Sequence, residues 1–519
     1  MIEKAREVAD TTPVIIGVGQ CSERVGEPTY EGLNYMDLGG RALAEAIADS
    51  GARGSVAQAI DTLAAIRAFE ISRPGREPPF GTASNIPRAM GNRVGANPAR
   101  AILTTTGGQT NQQLLGEFAT AIAASESQCA AIVGAEAIST ALALAASRET
   151  PDWSEEIEGD FEDQGYGIDK LLEPSLFQHG AIGAIPLYAL AENARRAKRG
   201  MSLDAYRLEI GALFEPFTRV AAANPHAAAP VERTAEELAT ITERNRIVSE
   251  PYARMTVARD QVNQSAAIIV ASVAKARELG VPEEKWVHIH AVTAATELPL
   301  MQRPDLSACP ASIASVEAAL TRAGKGMEDM AYLDFYSCFA IPVFNQIDHF
   351  GLTVDDPRGL TLTGGLPFFG GAGNNYSAHA IAEAVQRVRE DARSFAFVGA
   401  NGGWMSKYSS GVYSTTPADW SANDRFEVLP EAEDAVPLGS AQVELATIET
   451  YTIHHTKKGA EAIWIGRDES GGRMAGNADL NDEATRAVFE GGEPFGDTLR
   501  VSRDDRGRNI GRLAPTPGL

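Results

Sequence analysis

Cysteine is scarce in this chain: four in 519 residues, at Cys21, Cys129, Cys309 and Cys338, with no CxxC pair and no neighbouring histidine. That excludes a disulfide framework and a cysteine-built zinc site. Long apolar runs are missing too, since no stretch of about 18 uncharged apolar residues occurs. The opening MIEKAREVADTTP has no apolar signal core. A cytoplasmic location with no membrane partner is therefore expected. Positive charge is in deficit, with 46 Lys and Arg against 69 Asp and Glu and a net charge of -23. Such a surface repels a phosphate backbone, so nucleic acid is not an expected partner, and an anionic small molecule would need a locally basic entrance. What is present, 44% apolar and 22% charged residues, is the composition of a folded protein. At about 100 to 200 residues per domain, the length allows roughly three domains.

Pattern shows a duplication. PVIIGVGQ, from Pro13, reads as a doubly buried strand. The helical MDLGGRALAEAIADSG follows, with Leu38, Leu43, Ala46 and Ile47 on one face and Gly51 at its end. ARAILTTTGG then delivers a strand to Gly107 and Gly108, before the helical NQQLLGEFATAIAAS and the strand CAAIVGAEA. The second half opens on WVHIHAVTA and the helical SIASVEAALTRAG, and repeats the order. GLTLTGG reads as a strand reaching Gly364 and Gly365, followed by LPFFGGAGNN, the helical YSAHAIAEAVQRVRED and the strand SFAFVGANGG. Strands alternating with helices predict an α/β protein with parallel pairing.

Between the halves, about residues 139 to 250 form an excursion containing the acidic run Asp152 to Asp163, which reads as a solvated loop. After Trp420 a polar, proline-bearing linker leads to short alternating segments with glycine and Asn/Asp turns, the pattern of a small barrel.

Paired Thr-Gly-Gly elbows, the excursion, and the phrases MTVARDQVNQSAAIIVAS, YALAENARRAKRGMSLDAYR, DFYSCFA, TGGLPFFGGAGNN and GANGG together resemble the thiolase superfamily over about residues 13 to 416. They are most similar to the acetyl-CoA acetyltransferase-like members that carry an additional C-terminal β domain. The resemblance implies a duplicated five-layered αβαβα fold. Its N-terminal half would be 1–138 and 251–280, its CoA-binding loop domain 139–250, its C-terminal half 281–420, and an OB-like β domain 421–519. It also implies CoA or acetyl-CoA as cosubstrate, β-keto or β-hydroxy acids or their acyl-CoAs as substrates, and no metal. A homodimer through the first-half sheet is implied where the added domain leaves that surface free.

The chain departs from the family where the chemistry would stand. The nucleophilic cysteine position at the first elbow falls on Gly108, the GHP histidine position reads Gly370-Gly371-Ala372, and the second cysteine position reads Ala400. Covalent transfer needs an activated nucleophile. In place of the NEAF or HDCF motif stands Tyr336-Ser337-Cys338-Phe339, so Tyr336 is the candidate acid or oxyanion donor and Cys338 the one thiol placed to face the pocket. Asn374, Asn375 and Tyr376 open the helix after the second elbow, where N–H groups gather, and either asparagine could equally cap it. His379, one turn further in, is a further catalytic candidate if it faces the pocket and a packing residue if it faces the sheet. Gly107, Gly108, Gln109 and Thr110 at the first elbow, with Gly364 and Gly365 at the second, are expected to line the thioester site, or to serve only as tight turns. His288 and His290 share a strand face without a third ligand and read as structural; His454 and His455 carry no role.

Two readings follow. One is an acyltransferase or carbon–carbon bond-forming or -cleaving enzyme, a retro-aldolase included, acting on an acyl-CoA without an acyl-cysteine. The other is a catalytically silent scaffold that binds CoA or acyl-CoA.

Overall fold

A computed structural model describes residues 8–168, 173–431, 434–439 and 443–515. Most of the opening segment read for a signal core, and linker positions 432, 433 and 440, lie outside the described residues.

The first half-sheet runs in the order β1 (Pro13–Glu23), β5 (Asn263–Ser272), β4 (Cys129–Ala137), β2 (Thr62–Ala65), β3 (Arg100–Leu103). Its β5 runs antiparallel to both β1 and β4, while β4, β2 and β3 are parallel. Every residue of β4 and β5 is buried: their apolar centres are covered on both faces, and Glu136, Asn263, Gln264 and Ser265 at their ends are buried with them. The second half-sheet is β6 (Val287–Thr296), β9 (Lys407–Ser414), β8 (Phe395–Gly402), β7 (Tyr332–Asp334). The two sheets touch where Val14 pairs with His288 and Ile15 with Val287.

Between them lie the elbow helices α1 (Thr110–Ala123) and α2 (Tyr376–Glu390). Leu115, Phe118 and Ile122 from α1 share one buried cluster with Ile381, Val385 and Val388 from α2 and with Ile268 and Ile289 from the sheets. Helix Tyr35–Asp49 covers the outer face of the first sheet, and helices Pro310–Ala323 and Ala340–Phe350 cover that of the second. Helix, sheet, helix pair, sheet and helix make the duplicated five-layered αβαβα arrangement.

Two expectations need correction. GLTLTGG forms no strand. Asp334, fully buried at the end of β7, accepts the N–H groups of Leu362 (2.8 Å) and Thr363 (3.4 Å) and the hydroxyl of Thr361 (3.1 Å), so these donors go to a side-chain carboxyl group rather than to a ladder. The acidic run is more than a solvated loop. Its Glu162 and Asp163 pair in parallel with Ile102 and Leu103 of β3, extending the first sheet. Glu162 meets Arg100 at 2.7 Å, while Glu155 and Asp163 pair with Arg93 and Arg67.

The linker also returns to the core, because Phe426–Val428 pairs in parallel with β6. Beyond it, β10 (Leu445–Thr456), β11 (Gly459–Asp468), β12 (Arg473–Ala478), β13 (Thr498–Arg503) and β14 (Asn509–Leu513) pair in the order β10-β11-β12-β14-β13 and close back onto β10. Helix Glu483–Gly491 sits between the third and fourth barrel strands, and β12 and β14 are parallel. This is a closed five-stranded OB-like barrel.

Candidate functional site

The two elbows are sewn together by side chains. Asn374 Oδ1 accepts the Gly107 N–H at 2.9 Å, and its Nδ2 donates to the Arg67 carbonyl at 2.6 Å and to Ser72 Oγ at 3.2 Å. Asn111 Nδ2 donates to the Asn374 carbonyl (3.0 Å), while Ser377 Oγ donates to the Gly108 carbonyl (2.6 Å). Asn375 Nδ2 reaches across to the Gly134 carbonyl at 2.7 Å. Neither asparagine caps α2; both join the halves. The Gly107 N–H, counted from sequence among donors for a thioester oxygen, is already given away.

Gly108 and Tyr336 are sterically complementary. A Cβ on Gly108 would lie 2.4 Å from the Tyr336 hydroxyl oxygen and 2.5 Å from the Asn401 carbonyl oxygen. The phenol thus fills the space a side chain at position 108 would take. Its hydroxyl has no hydrogen-bond partner among the described residues. Burial, then the neighbouring Cys338, pushes the phenol well above its ordinary value, so it stays protonated and can only donate or accept a hydrogen bond. Tyr376 stands edge-on to Tyr336 with ring centroids 5.2 Å apart, its own hydroxyl 2.5 Å from Thr363 Oγ1.

Cys338 does lie beside Tyr336, and burial pushes its thiol up to about 12. A thiol at that value is a poor nucleophile near neutrality. Tyr188 stacks on Phe339 at 4.2 Å, and Asn401 Nδ2 donates to the Tyr188 hydroxyl at 3.1 Å and to Cys338 Sγ at 3.9 Å. The sequence reading missed Tyr188 and Asn401 as site residues. The one signal for Asn401 was its place inside GANGG, next to the second cysteine position.

His379 is not in this group. Its Nδ1 meets Gln20 Oε1 at 2.6 Å, its ring packs against Phe369, and burial followed by the charge of His226 holds it well below the usual histidine value. His288 and His290, lowered to about 4 chiefly by burial, lie on β6 and stay neutral at pH 7. Gln109 is wedged against the glycines: a Cβ on Gly402 or Gly107 would come within 2.0 or 2.2 Å of its Oε1. At the second elbow Gly364 and Gly365 have φ of +107° and +78°, and a Cβ on Gly364 would meet the Ala221 backbone nitrogen at 2.5 Å, so the helix Leu203–Ala223 packs directly on this turn.

A basic strip borders the second elbow. Arg244, Arg246, Arg254 and Arg259 are exposed, and none forms an ion pair among the described residues. The strip is tied to the site by its backbone: Arg259 N–H donates to the Leu366 carbonyl, Gly371 N–H to the Arg259 carbonyl (2.7 Å), and Ala258 N–H to the Cys338 carbonyl (2.9 Å).

The fold is that of the thiolases. The Saccharomyces cerevisiae dimeric peroxisomal thiolase superposes with a TM-score of 0.54 at 13% identity, covering 79% of this chain and 98% of that one. The Ltp2–ChsH2(DUF35) aldolase gives 0.56 at 16% identity, over 78% and 98%. Within that class, a monomeric SCP2-thiolase-like protein type 1 from Mycobacterium smegmatis is similar over 98% of this chain and all of its own length, with 41% identity and a TM-score of 0.81. The chain belongs to the SCP2-thiolase-like family. No family model and no curated protein matches it.

Proposed function

We propose that this is a cytoplasmic CoA-thioester-binding protein that holds its ligand without an acyl-enzyme. The phosphates of an acyl-CoA lie along the arginine strip, and the thioester approaches Gly108 and Tyr336. The observation that carries this reading is the Tyr336 phenol standing in the space of a side chain at position 108, beside a thiol raised to about 12. With the nucleophile position filled and no ionised base in contact with it, thiolysis by way of a bound acyl group has no starting point. Calorimetric titration with CoA and acetyl-CoA tests it. Binding weakened about tenfold by Arg254→Ala with Arg259→Ala, and no acyl adduct by intact mass after prolonged incubation, is expected. An acylated Cys338 would refute it.

A second reading is favoured by the unpartnered Tyr336 hydroxyl. A protonated phenol can stabilise an enolate or alkoxide when a bond between carbons is made or broken in a β-keto- or β-hydroxyacyl-CoA. Product analysis by mass over such a panel separates the two, because this reading requires turnover that Tyr336→Phe abolishes.

A further inference from the structure

The short helix Pro174–Gln178, the start of the helix Ala184–Arg199, the segment after β6 and the turn between β8 and β9 enclose a recess. Leu176, Leu300 and Arg303, all buried, form its floor, and the more exposed Phe177, Leu187 and Trp404 its mouth. About 30 Å³ is open to water centres, the room of about two waters. Trp404 and Met405 in the turn both have left-handed φ, +53° and +67°, a conformation that residues other than glycine adopt at a cost.

The polar groups on the floor are not balanced by the protein. Arg303 is 1% exposed, and its guanidinium donates to the Leu298 carbonyl (2.8 Å), the Met405 carbonyl (2.5 Å) and Cys309 Sγ (3.6 Å). No carboxylate pairs with it among the described residues, although a buried cation ordinarily has such a partner. Arg473 beside it is paired with Glu449 at 2.8 Å, and the Glu297 carboxylate accepts the Leu298 and Ala311 N–H groups at 2.9 Å each. Glu173 Oε1 accepts the Met301 N–H at 2.8 Å, while its other oxygen has no partner among the described residues and is open to water. Desolvation pushes this carboxyl up to about 7, against the pull of the Met301 N–H and the charges of Arg303 and Arg473, so below neutrality it carries a proton to donate. A buried positive charge without a counter-ion and a carboxyl proton thus lie beneath an apolar mouth.

We propose that this recess binds a short apolar carboxylic acid in its ionised form, the carboxylate accepting the Glu173 proton in a hydrogen bond within the field of Arg303 and the alkyl chain lying between Phe177, Leu187 and Trp404. An alcohol of the same length brings the chain without the charge, and acetate the charge without the chain. The recess shares no lining residue with Gly108 and Tyr336, so the proposal stands or falls independently of CoA-thioester binding.

Trp404 is the one tryptophan of five that is not buried, so its emission reports on the mouth. The test is fluorescence titration with hexanoate, hexanol and acetate at pH 6 and pH 8 on the wild type, Trp404→Phe and Glu173→Gln, each variant checked for an unchanged far-ultraviolet spectrum. Glu173→Gln keeps an acceptor for the Met301 N–H and removes the titration. Hexanoate should change the wild-type emission saturably and bind at least about tenfold more tightly at pH 6 than hexanol or acetate. Because the bound carboxylate needs a protonated Glu173, its affinity should be full below pH 7 and fall about tenfold between pH 6 and pH 8, and stay level in Glu173→Gln. Trp404→Phe should lose the signal. No saturable change with hexanoate, equal affinity for hexanol, or an undiminished signal in Trp404→Phe would overturn the proposal. So would a pH dependence absent from the wild type or retained in Glu173→Gln.

Discussion

At the scale of single residues, the site is defined by substitutions that exclude one another. Gly108→Ala brings a methyl group to within 2.4 Å of the Tyr336 hydroxyl oxygen and 2.5 Å of a backbone oxygen. It should destabilise the protein by about 1–3 kcal/mol in urea unfolding, with Tyr336→Phe returning part of that loss because it removes one of the two clashes. A merely additive double variant would show that the two positions are independent. Asn374 tells a related story. The sequence offered it as a ligand contact or a helix cap, yet its amide closes three hydrogen bonds between the halves. Asn374→Ala strands the Gly107 N–H and the Arg67 carbonyl, so its expected signature is about 2–4 kcal/mol of lost stability rather than a selective loss of affinity. Legibility at this scale was uneven for a physical reason. Gly108, Tyr336 and Cys338 could be placed because they sit inside local turn patterns. Asn401 and Tyr188 meet only in three dimensions, 213 positions apart, and no periodicity marks such a pair.

Elements were more legible than contacts. Strands such as β4 and β5 announce themselves as buried apolar runs, and the elbow helices by their spacing. GLTLTGG misled because its pattern is that of a strand while its N–H groups are bonded to Asp334, whose role no local pattern reveals. The acidic run misled in the opposite way: its charges look solvated, but Arg100, Arg93 and Arg67 fold it onto the rim of β3. An open edge strand is a template for pairing with another chain, and a short charged strand laid against it blunts that tendency. Replacing residues 152–163 by a neutral glycine-serine linker should therefore produce concentration-dependent self-association, read as a rising mass in size-exclusion chromatography with light scattering. A variant that stays at a single-chain mass would show that the clasp is not what blunts the edge. The barrel is likewise occupied by its own chain. Ile463, Ile465 and Ala475, on the outer face of β11 and β12 through which OB folds take ligands, share a buried cluster with Leu176, Ala181 and Met301. Asn477 Nδ2 and the Asn509 N–H bond to the His179 carbonyl and ring at 2.9 Å each. That face of the barrel is thus covered by the chain's own residues 176–181 and Met301.

For the molecule as a whole, buried acids set the response to pH. Asp334, fully buried, is pushed up to about 7 by desolvation, against the pull of the Leu362, Thr361 and Thr363 bonds; Glu192, inside the loop domain between Tyr206 and Tyr252, is also raised to about 7 by burial. A carboxyl whose folded value lies above its unfolded one binds more protons in the folded state, so its contribution is complete below about pH 4 and is lost as pH rises toward 7. The sign is opposite to that of Asp49, which the charge and hydrogen bonds of Arg389 hold below its usual range despite burial, and whose contribution is lost on acidification instead. Because the two kinds of group oppose each other in the total, the prediction is differential. Asp334→Asn preserves an acceptor oxygen for the turn and removes the titration. The stability of the wild type minus that of Asp334→Asn should be greatest near pH 4 and decline steadily to pH 7, by at most about 1.4 kcal/mol per unit, in parallel urea titrations. A difference that stays level or rises across that range would mean that Asp334 is ionised in the folded protein. The turn before the second elbow would then be held by a full negative charge rather than by a neutral acid.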